Sequence, residues 1–277
     1  LEGRLSGFVD VRNLTGGSGV DTFRFEGTGS LAGTIDGGSN LTDVLEGTNS
    51  SDSITLTGTD AGDAVFNTVS TMFVSIENVD LRSSNDRFTV ADGATLTGTL
   101  NGGFGDDELI GPAAGATFNV TADNSGELLD ASGAVELLGT AATARGFASI
   151  ENLTGGVGDD TFVLSSNVTL DGDLDGGAGT NTLTLGSGAS IGGDVANVDV
   201  TVVIDQTSGI NAGVAVDNIL VQINNSQLEV VVNGASNTFF VPTGTSTVTL
   251  DIRSEGGADN LTIDYRTEAG AAVLPGD

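Results

Sequence analysis

Residues 150–164 read IENLTGGVGDDTFVL, and this stretch belongs to a pattern that occurs three times without an insertion. The three windows are Phe8–Leu45, Phe73–Ile110 and Phe147–Thr184. Each begins F-x-x-[V/I]-x-N, continues with an Asp and, two positions later, a Phe, and then reaches [D/N]-G-G. The offsets from the Asn to the Asp, the Phe and the [D/N] are identical in the three copies. A fixed internal spacing of this kind predicts stacked, structurally equivalent units.

The step from the Asn to [D/N]-G-G, as from Asn152 to Asp175, has the length of one coil in a β-solenoid. A coil of two or three short strands needs roughly that length of chain, and neighbouring coils lie about 4.8 Å apart. We therefore expect an all-β fold, a right-handed parallel β-solenoid with about 21–23 residues per coil. Short alternating runs rich in Val, Ile, Phe and Thr are the predicted strands: Thr22–Phe25, Ser53–Leu56, Phe88–Val90, Thr161–Leu164 and Thr182–Leu185.

Two regions are predicted along the chain. Residues 1–198 form the solenoid, built of three imperfect repeats whose first Phe residues stand at positions 8, 73 and 147. Residues 199–277 form an antiparallel β cap or a second small β domain, with a hairpin of Ile219–Ile223 and Leu228–Val232. The Asn233-Gly234 pair that follows favours a further tight turn, and Gly256–Leu261 resembles a last degenerate turn of the repeat.

The charge of the chain is strongly one-sided. Of 277 residues, 38 are acidic and eight basic, all of them Arg, which gives a formal net charge of −30. Such a surface repels nucleic acid and anionic membranes, because affinity for phosphate depends on Lys and Arg. No apolar run is long enough for a membrane span. Apolar residues make up 38% of the chain, which argues against disorder. Because Leu1 is not an initiator Met, we expect a piece of a longer protein.

Four segments fit or nearly fit the pattern G-G-x-G-x-D-x-φ-x, where φ is apolar. They begin at Gly16, Gly102, Gly155 and Gly176, and the last has Asn181 in place of Asp. These segments resemble the calcium-binding nonapeptides of RTX proteins, which form a parallel β-roll. The longer phrase at 150–164 also resembles large secreted bacterial β-repeat proteins of the RTX-like and filamentous-haemagglutinin-like kind. This resemblance covers roughly residues 8–185.

The resemblance implies calcium sites at the glycine-aspartate turns. Gly lets main-chain carbonyls approach a cation, and Ca²⁺ takes six to eight oxygen ligands. RTX nonapeptides run in tandem, whereas each copy here stands alone in a longer coil. The acids nevertheless recur at intervals of about one coil, which would stack two turns at one corner. The predicted ligands are Asp21 with Asp43, Asp106 and Asp107, and Asp159 and Asp160 with Asn181. The alternative is that Asp only caps backbone N–H groups and turns the chain.

The middle copy has lost its glycines and reads LRSSNDRF from Leu81 to Phe88. We expect Arg82 or Arg87 to replace a cation there by a salt bridge to Asp86 or Asp107, and this turn to bind metal least. The repeated Asn residues (Asn13, Asn78, Asn152) are interpreted as hydrogen-bonded stacks, and the repeated Phe residues (Phe23, Phe88, Phe162) as core.

Catalysis has few candidates, because His, Cys and Lys are absent and Tyr265 is the only Tyr. The predicted function is therefore a non-catalytic structural or adhesive segment of a secreted or cell-surface bacterial protein, stabilised by Ca²⁺ and assembling end to end. Its partners would be other segments of the same protein, identical subunits or surface polysaccharide. The alternative is a carbohydrate-binding or carbohydrate-modifying β-helix, in which paired acids such as Asp106 and Asp107 would act on a sugar.

Overall fold

The computed structural model describes residues 11–39, 42–133, 136–138, 146–186, 188–205, 218–224, 227–232, 235–240, 248–253 and 260–264. Beyond residue 200, and at residue 136, the description is of the backbone alone. Every regular element in these ranges is a strand, which confirms the all-β prediction. Over the same ranges no helix is long and apolar enough to cross a membrane.

The strands are short, and in most of them buried and more exposed residues alternate. In chain order they are β1 Asn13–Gly17, β2 Thr22–Arg24, β3 Thr34–Gly38, β4 Val44–Glu46, β5 Ser53–Gly58, β6 Ala61–Phe66, β7 Val69–Val74, β8 Asn78–Asp80, β9 Arg87–Val90, β10 Thr99–Asn101, β11 Glu108–Ile110, β12 Ala116–Ala122, β13 Ser125–Asp130, β14 Glu136–Leu138, β15 Gly146–Ala148, β16 Asn152–Thr154, β17 Thr161–Leu164, β18 Thr169–Leu170, β19 Leu174–Asp175, β20 Thr182–Leu185, β21 Ser190–Ile191, β22 Val195–Ala196, β23 Asp199–Asp205, β24 Asn218–Asn224, β25 Gln227–Val232, β26 Ala235–Phe240, β27 Val248–Arg253 and β28 Asn260–Asp264.

The chain divides into two compact units. The first comprises residues 1–112 and 135–150, and the second comprises residues 113–134 and 151–277. From the sequence we expect a boundary between two regions near residue 198, where the predicted strands become longer. That boundary remains a prediction, and the structure describes six strands within residues 199–277.

In the first unit, parallel strands pair with partners about one predicted coil later in the chain. One sheet has the order β1-β3-β7-β6-β5-β9-β11 and the other β2-β4-β8-β10-β15. Examples are the pairs of Asn13 with Thr34, Thr22 with Val44, and Phe88 with Leu109. The separation of these partners along the chain lies close to the step read from the sequence.

The antiparallel strands β5, β6 and β7 interrupt this regular step. β5 pairs with β6 and β6 with β7, both antiparallel, whereas β3 pairs with β7 and β5 with β9 in parallel. The insertion makes the chain between parallel partners longer than one coil, as between Ile54 and Phe88. Mixed sheets of this kind were not predicted for the repeats.

The second unit also pairs its strands in parallel after one hairpin. β12 and β13 form an antiparallel pair. From β12 onward, each strand of the series β12-β17-β20-β23-β27 pairs in parallel with the next. Separately, β16, β19 and β22 pair in parallel, with Leu153 beside Leu174 and Leu174 beside Val195. These last two steps are equal in length, and each corresponds to one coil of the predicted size.

The strands after residue 200 confirm the predicted hairpin but not a purely antiparallel arrangement. β24 and β25 pair antiparallel with Ile219 beside Val232, and β25 pairs antiparallel with β26. In contrast, β24 pairs with β28 and β23 with β27 in parallel. The predicted turn at Asn233-Gly234 and most of Gly256–Leu261 lie outside the described residues.

The core consists of apolar side chains on the inward-facing positions of the strands. Phe88 and Phe162 are buried, as predicted from the repeat, whereas Phe23 is half-buried. In the second unit the rings of Phe118 and Phe162 stack with centroids 4.7 Å apart. In the repeat, the apolar residues such as Phe88 and Phe162 thus belong to the core, whereas the Gly and Asp residues belong to the corner turns.

Candidate functional site

The site predicted from the sequence is a set of glycine-aspartate corners, and the structure brings each predicted pair into contact. Oδ1 of Asp43 accepts a hydrogen bond from the backbone N–H of Asp21 at 2.7 Å. Oδ1 of Asn181 accepts one from the N–H of Asp160 at 2.9 Å. The same contact joins the N–H of Asp86 to Oδ1 of Asp107 at 2.8 Å. The spacing of the acids by about one coil therefore identified the partners correctly.

These contacts continue as columns, in which each acidic side chain binds the backbone of an earlier layer. Oδ1 of Asp86 accepts from the N–H of Asp52 at 2.6 Å, and Oε2 of Glu77 accepts from the N–H of Asp43 at 2.8 Å. Both pairs span more than one coil, because the chain between the partners includes β5, β6 and β7. The sequence reading missed Asp52 and Glu77. The two pairs, Asp43 with Glu77 and Asp52 with Asp86, are separated by the same number of residues, and this equal interval could have identified both acids.

In the second unit the column begins with a residue that has no polar side chain. Oδ1 of Asp160 accepts a hydrogen bond from the N–H of Ala116 at 2.7 Å. Asp160 then donates its own N–H to Asn181, as described above. Each corner side chain therefore caps a backbone donor, which is the role expected under the alternative interpretation of the turns.

A glycine shortly before the acid makes room for each of these side chains. A methyl group at Gly155 would lie less than 3.0 Å from Oδ2 of Asp160 and from the carbonyl oxygen of Gly176. Gly102 and Gly37 have the same relation to Asp107 and Asp43. The first Gly of each Gly-Gly pair is thus required because the Asp side chain occupies the space that a Cβ atom would need. The second Gly often has a positive φ, as at Gly177 (75°).

Burial perturbs the acids of these columns. Asp86 and Asp160 are 3% and 1% exposed. Burial, aided by the charges of Asp52 and Asp107, raises the pKa of Asp86 to about 8, although the N–H of Asp52 acts in the opposite direction. Burial, aided by Asp159, raises the pKa of Asp160 to about 6 against the N–H of Ala116. A buried carboxylate loses hydration, so the neutral acid is favoured.

Burial also raises the pKa of the two acids that the sequence reading missed. For Asp52 the hydrogen bonds from the backbone and hydroxyl of Thr48 oppose this effect. For Glu77 the N–H of Asp43 opposes it, while the charges of Asp60 and Asp43 add to it. These columns therefore concentrate buried acids in a protein whose surface is already acidic.

The arginines of the middle copy do not pair with Asp86. Arg87 lies on β9 and pairs with Glu108 on β11, its partner in the register, at 3.4 Å. Arg24 on β2 pairs in the same manner with Glu46 on β4. The predicted bridge to Asp86 is therefore wrong. Because alternate residues of a strand face opposite sides, Arg87 points outward when Asp86 points inward.

The repeated Asn residues bind the backbone of the next strand rather than one another. Oδ1 of Asn78 accepts from the N–H of Thr99 at 3.1 Å, and Oδ1 of Asn152 accepts from the N–H of Asp173 at 2.8 Å. Glycines at 98 and 172 leave space for these side chains. These bonds are consistent with the scaffold role predicted for the Asn residues, and the donors are main-chain N–H groups.

Five of the predicted Ca²⁺ ligands use their Oδ1 atom to accept a hydrogen bond from the backbone of another layer. Calcium needs six to eight converging oxygens. Asp43, Asp107 and Asp160 are buried and direct Oδ1 at backbone N–H groups. Among the residues that the structure describes, no three acids are grouped so that they could hold a metal ion.

Two of the predicted ligands make further contacts with the backbone. Oδ1 of Asp159 accepts from the N–H of Thr180 at 2.7 Å, and Asn181 turns its Nδ2 toward carbonyl oxygens. Asp21 and Asp106 lie in different corners, half-buried and exposed respectively. Calcium binding thus remains a prediction from the sequence resemblance. No family model, curated protein or solved structure matches this chain.

Proposed function

We propose that this chain is a non-catalytic structural or adhesive segment of a large secreted or cell-surface bacterial repeat protein. In this proposal each unit is built of right-handed solenoid coils of about 21–23 residues. The observation that carries the proposal is the equal step between the parallel strands β16, β19 and β22. Leu153, Leu174 and Val195 lie side by side on three successive strands, at equal intervals along the chain.

The use of the repeated polar residues supports a scaffold role. Asn78, Asn152 and the corner acids direct their oxygens to backbone N–H groups of neighbouring strands. A residue that satisfies a buried donor contributes to stability. Repetition of the same bonds along the columns favours a stacking function over a single active site.

The described geometry also favours a role without catalysis. The chain has no His, Cys or Lys to act as base or nucleophile. Of the adjacent acids Asp106 and Asp107, only Asp106 is exposed, while Asp107 is buried with Oδ1 on the backbone. A pair of carboxylates that flank a sugar would both need access to it. The proposed partners are further segments of the same protein or identical subunits.

One exposed aromatic residue favours the alternative of a carbohydrate-binding module. Phe104 lies between β10 and β11 and is 84% exposed, close to the exposed Asp106 in the chain. An aromatic face beside a carboxylate can stack on a sugar ring and accept hydrogen bonds from its hydroxyl groups. Retention on immobilised polysaccharides that is lost in Phe104→Ala would support this alternative. Equal behaviour of the two proteins would leave the scaffold role.

The solenoid proposal is tested by deletion of one complete step. Removal of the segment 161–181 joins Asp160 to Thr182, the register equivalent of Thr161, and should leave a cooperative urea transition. Removal of the segment 161–171 is the matched control, because it shifts inward residues outward and should abolish cooperative unfolding. If both deletions behaved alike, the strands would not be interchangeable and the proposal would fail.

The calcium prediction is tested separately by thermal unfolding in EGTA, Ca²⁺ and Mg²⁺. A chain with a net charge of −30 is stabilised by any cation that screens its self-repulsion. Equal shifts of Tm in the two divalent ions would therefore indicate screening. A distinctly larger shift in Ca²⁺ would indicate a specific site.

A further inference from the structure

Several asparagine residues of this chain lie in the tripeptide N-x-[S/T], the acceptor sequence (sequon) for N-linked glycosylation. Where the structure describes side chains, sequons begin at Asn13, Asn49, Asn119, Asn152 and Asn167. Such tripeptides also arise by chance wherever Asn and Thr are frequent. A glycosyltransferase must hold the sequon in its own active site, so the local structure decides which of them it can reach.

Four of these sequons are held by the fold. Three lie entirely within β1, β12 and β16, whose backbones pair with neighbouring strands. In the sequon at Asn167, the middle residue Val168 is 5% exposed, and the hydroxyl of Thr169 lies 3.0 Å from that of Ser190. An enzyme could bind these segments only after the strand pairing or the Thr169 contact had opened, which costs free energy.

The remaining sequon, Asn49-Ser50-Ser51, lies between β4 and β5, and its three residues are all exposed. The base of this loop is closed by the carboxylate of Asp52. One of its oxygens accepts from the N–H of Thr48 at 2.6 Å, and the other accepts from the Thr48 hydroxyl at 2.9 Å. The Thr48 hydroxyl also accepts from the N–H of Ser50 at 3.0 Å. The loop thus presents the sequon to solvent while the strands on both sides stay paired.

The side chain of Asn49 directs its oxygen to the protein and leaves its nitrogen at the opposite end. Oδ1 accepts a hydrogen bond from the hydroxyl of Ser83 at 3.1 Å. The carbonyl oxygen of Asn49 accepts from the hydroxyl of Ser84 at 3.2 Å, which holds the same residue a second time. The other end of the amide is Nδ2, the atom to which a sugar is attached in N-linked glycosylation.

We propose that Asn49 is an acceptor site for N-linked glycosylation, and that the folded chain is modified there in preference to the four other sequons. Nδ2 forms a bond to the anomeric carbon of a sugar that is activated by a diphosphate group. The bond from that carbon to the diphosphate oxygen breaks, the diphosphate leaves with the electron pair, and Nδ2 gives up one proton to the transferase. The hydroxyl of Ser51 completes the sequon that the transferase recognises.

The test is sugar transfer to the purified, folded full chain in two arms, which differ in the diphosphate donor. One arm uses a soluble asparagine glucosyltransferase with UDP-glucose, and the other uses a membrane oligosaccharyltransferase with a lipid-linked oligosaccharide. Modified residues are identified by peptide mapping with mass spectrometry. We expect Asn49 to be modified in at least one arm, at least about tenfold faster than any other sequon described above, because a loop need not open first. No transfer to Asn49 in either arm, or a rate no higher than at another of these sequons, would overturn the proposal.

Short peptides that carry each of the five sequons are the matched control, because they lack the strands. The preference for Asn49 should be lost among the peptides, and an equal preference there would refute selection by the fold. In the full chain, Ser51→Ala should abolish transfer to Asn49, whereas Ser51→Thr should retain it. Both variants should keep the Tm of the wild type, since Ser51 is exposed. Transfer to Ser51→Ala at the wild-type rate would contradict the assigned sequon. These outcomes do not depend on the solenoid deletions or on the proposed cellular role.

Discussion

The backbone N–H of Asp52 donates a 2.6 Å hydrogen bond to Oδ1 of Asp86, which joins two buried acids from well-separated parts of the chain. Asp86 in turn donates its N–H to Asp107. Three acids thus follow one another in one column of the first unit. From this arrangement we expect that Asp86, the central acid, has the largest influence on how the stability of the first unit depends on pH.

Replacement of Asp86 by Asn is expected to stabilise the protein at alkaline pH. The pKa of Asp86 is raised from 3.8 to about 8, so its contribution is complete below about pH 4 and is lost as the pH rises through 8. Asn retains the acceptor for Asp52 without titrating. The free energy of unfolding, measured with urea, should match the wild type at pH 4 and exceed it by about 1–3 kcal/mol at pH 9.

The control is Asp86→Ala, which removes the acceptor for the N–H of Asp52. This variant should be destabilised by about 1–3 kcal/mol at both pH values. If Asp86→Asn and Asp86→Ala lost the same stability throughout, the bond to Asp52 would not matter. A stabilisation by Asn that is equal at pH 4 and pH 9 would contradict the raised pKa.

Gly155→Ala should destabilise the second unit strongly. Its methyl group would approach Oδ2 of Asp160 and the carbonyl oxygen of Gly176 to less than 3.0 Å. Overpacking of this kind costs about 1–3 kcal/mol or more. Gly19→Ala is the matched control, because a methyl group there meets nothing within 4 Å. Thermal denaturation of both variants is the measurement, and similar Tm values would disprove the fold of the corner.

Ser84→Gly should stabilise the middle corner. Ser84 has a φ of 91°, and the bridge of Ser83 to Phe104 makes Gly105, with a φ of 155°, its equivalent on the next layer. A non-glycine residue with such a φ costs about 1–3 kcal/mol. Ser84→Ala removes the same hydroxyl group, which contacts the carbonyl oxygen of Asn49 at 3.2 Å, without relieving the backbone. The Gly variant should therefore unfold at higher urea concentration than the Ala variant, and the reverse order would refute the assigned strain.

Phe162→Ala should cost about 3–5 kcal/mol, because a buried aromatic side chain is removed from a packed core. Phe162 is fully buried and stacks on Phe118 with an angle of 11° between the rings. A double-mutant cycle with Phe118→Leu and Phe162→Leu measures the interaction between the rings. A coupling energy near zero would show that burial, and not stacking, accounts for the effect.

Much of the local structure followed from the sequence, because alternating apolar residues bounded by glycines define short strands. The five predicted runs all coincide with strands, except that β2 ends one residue before Phe25. β24 and β25 form the predicted hairpin. The corner partners Asp160 and Asn181 followed from spacing alone. Periodicity is reliable here because parallel strands must return to the same register after each step.

The features that escaped prediction depend on contacts between segments of unequal length. β6 and β7 fold back beside β5, so Glu77 reaches Asp43 across an interval longer than one coil. No repeat of Asp marked that partner, since a Glu serves in its place. The outward direction of Arg87 depends on which face of β9 is buried, and this determines its pairing with Glu108. Likewise, the affinity of a carboxyl group for a proton depends on burial, which spacing alone does not reveal.

The corner columns have a direction, and this direction bears on the order in which the layers are completed. In every described column bond, the backbone donor precedes the side-chain acceptor in the chain, as Ala116 precedes Asp160 and Asp160 precedes Asn181. A nascent chain therefore presents each layer with an open donor that only a later layer can close. During synthesis from the N-terminus, the most recently formed layer would keep an unpaired backbone N–H group. The acidic or amide side chain of the next corner would then accept a hydrogen bond from that group.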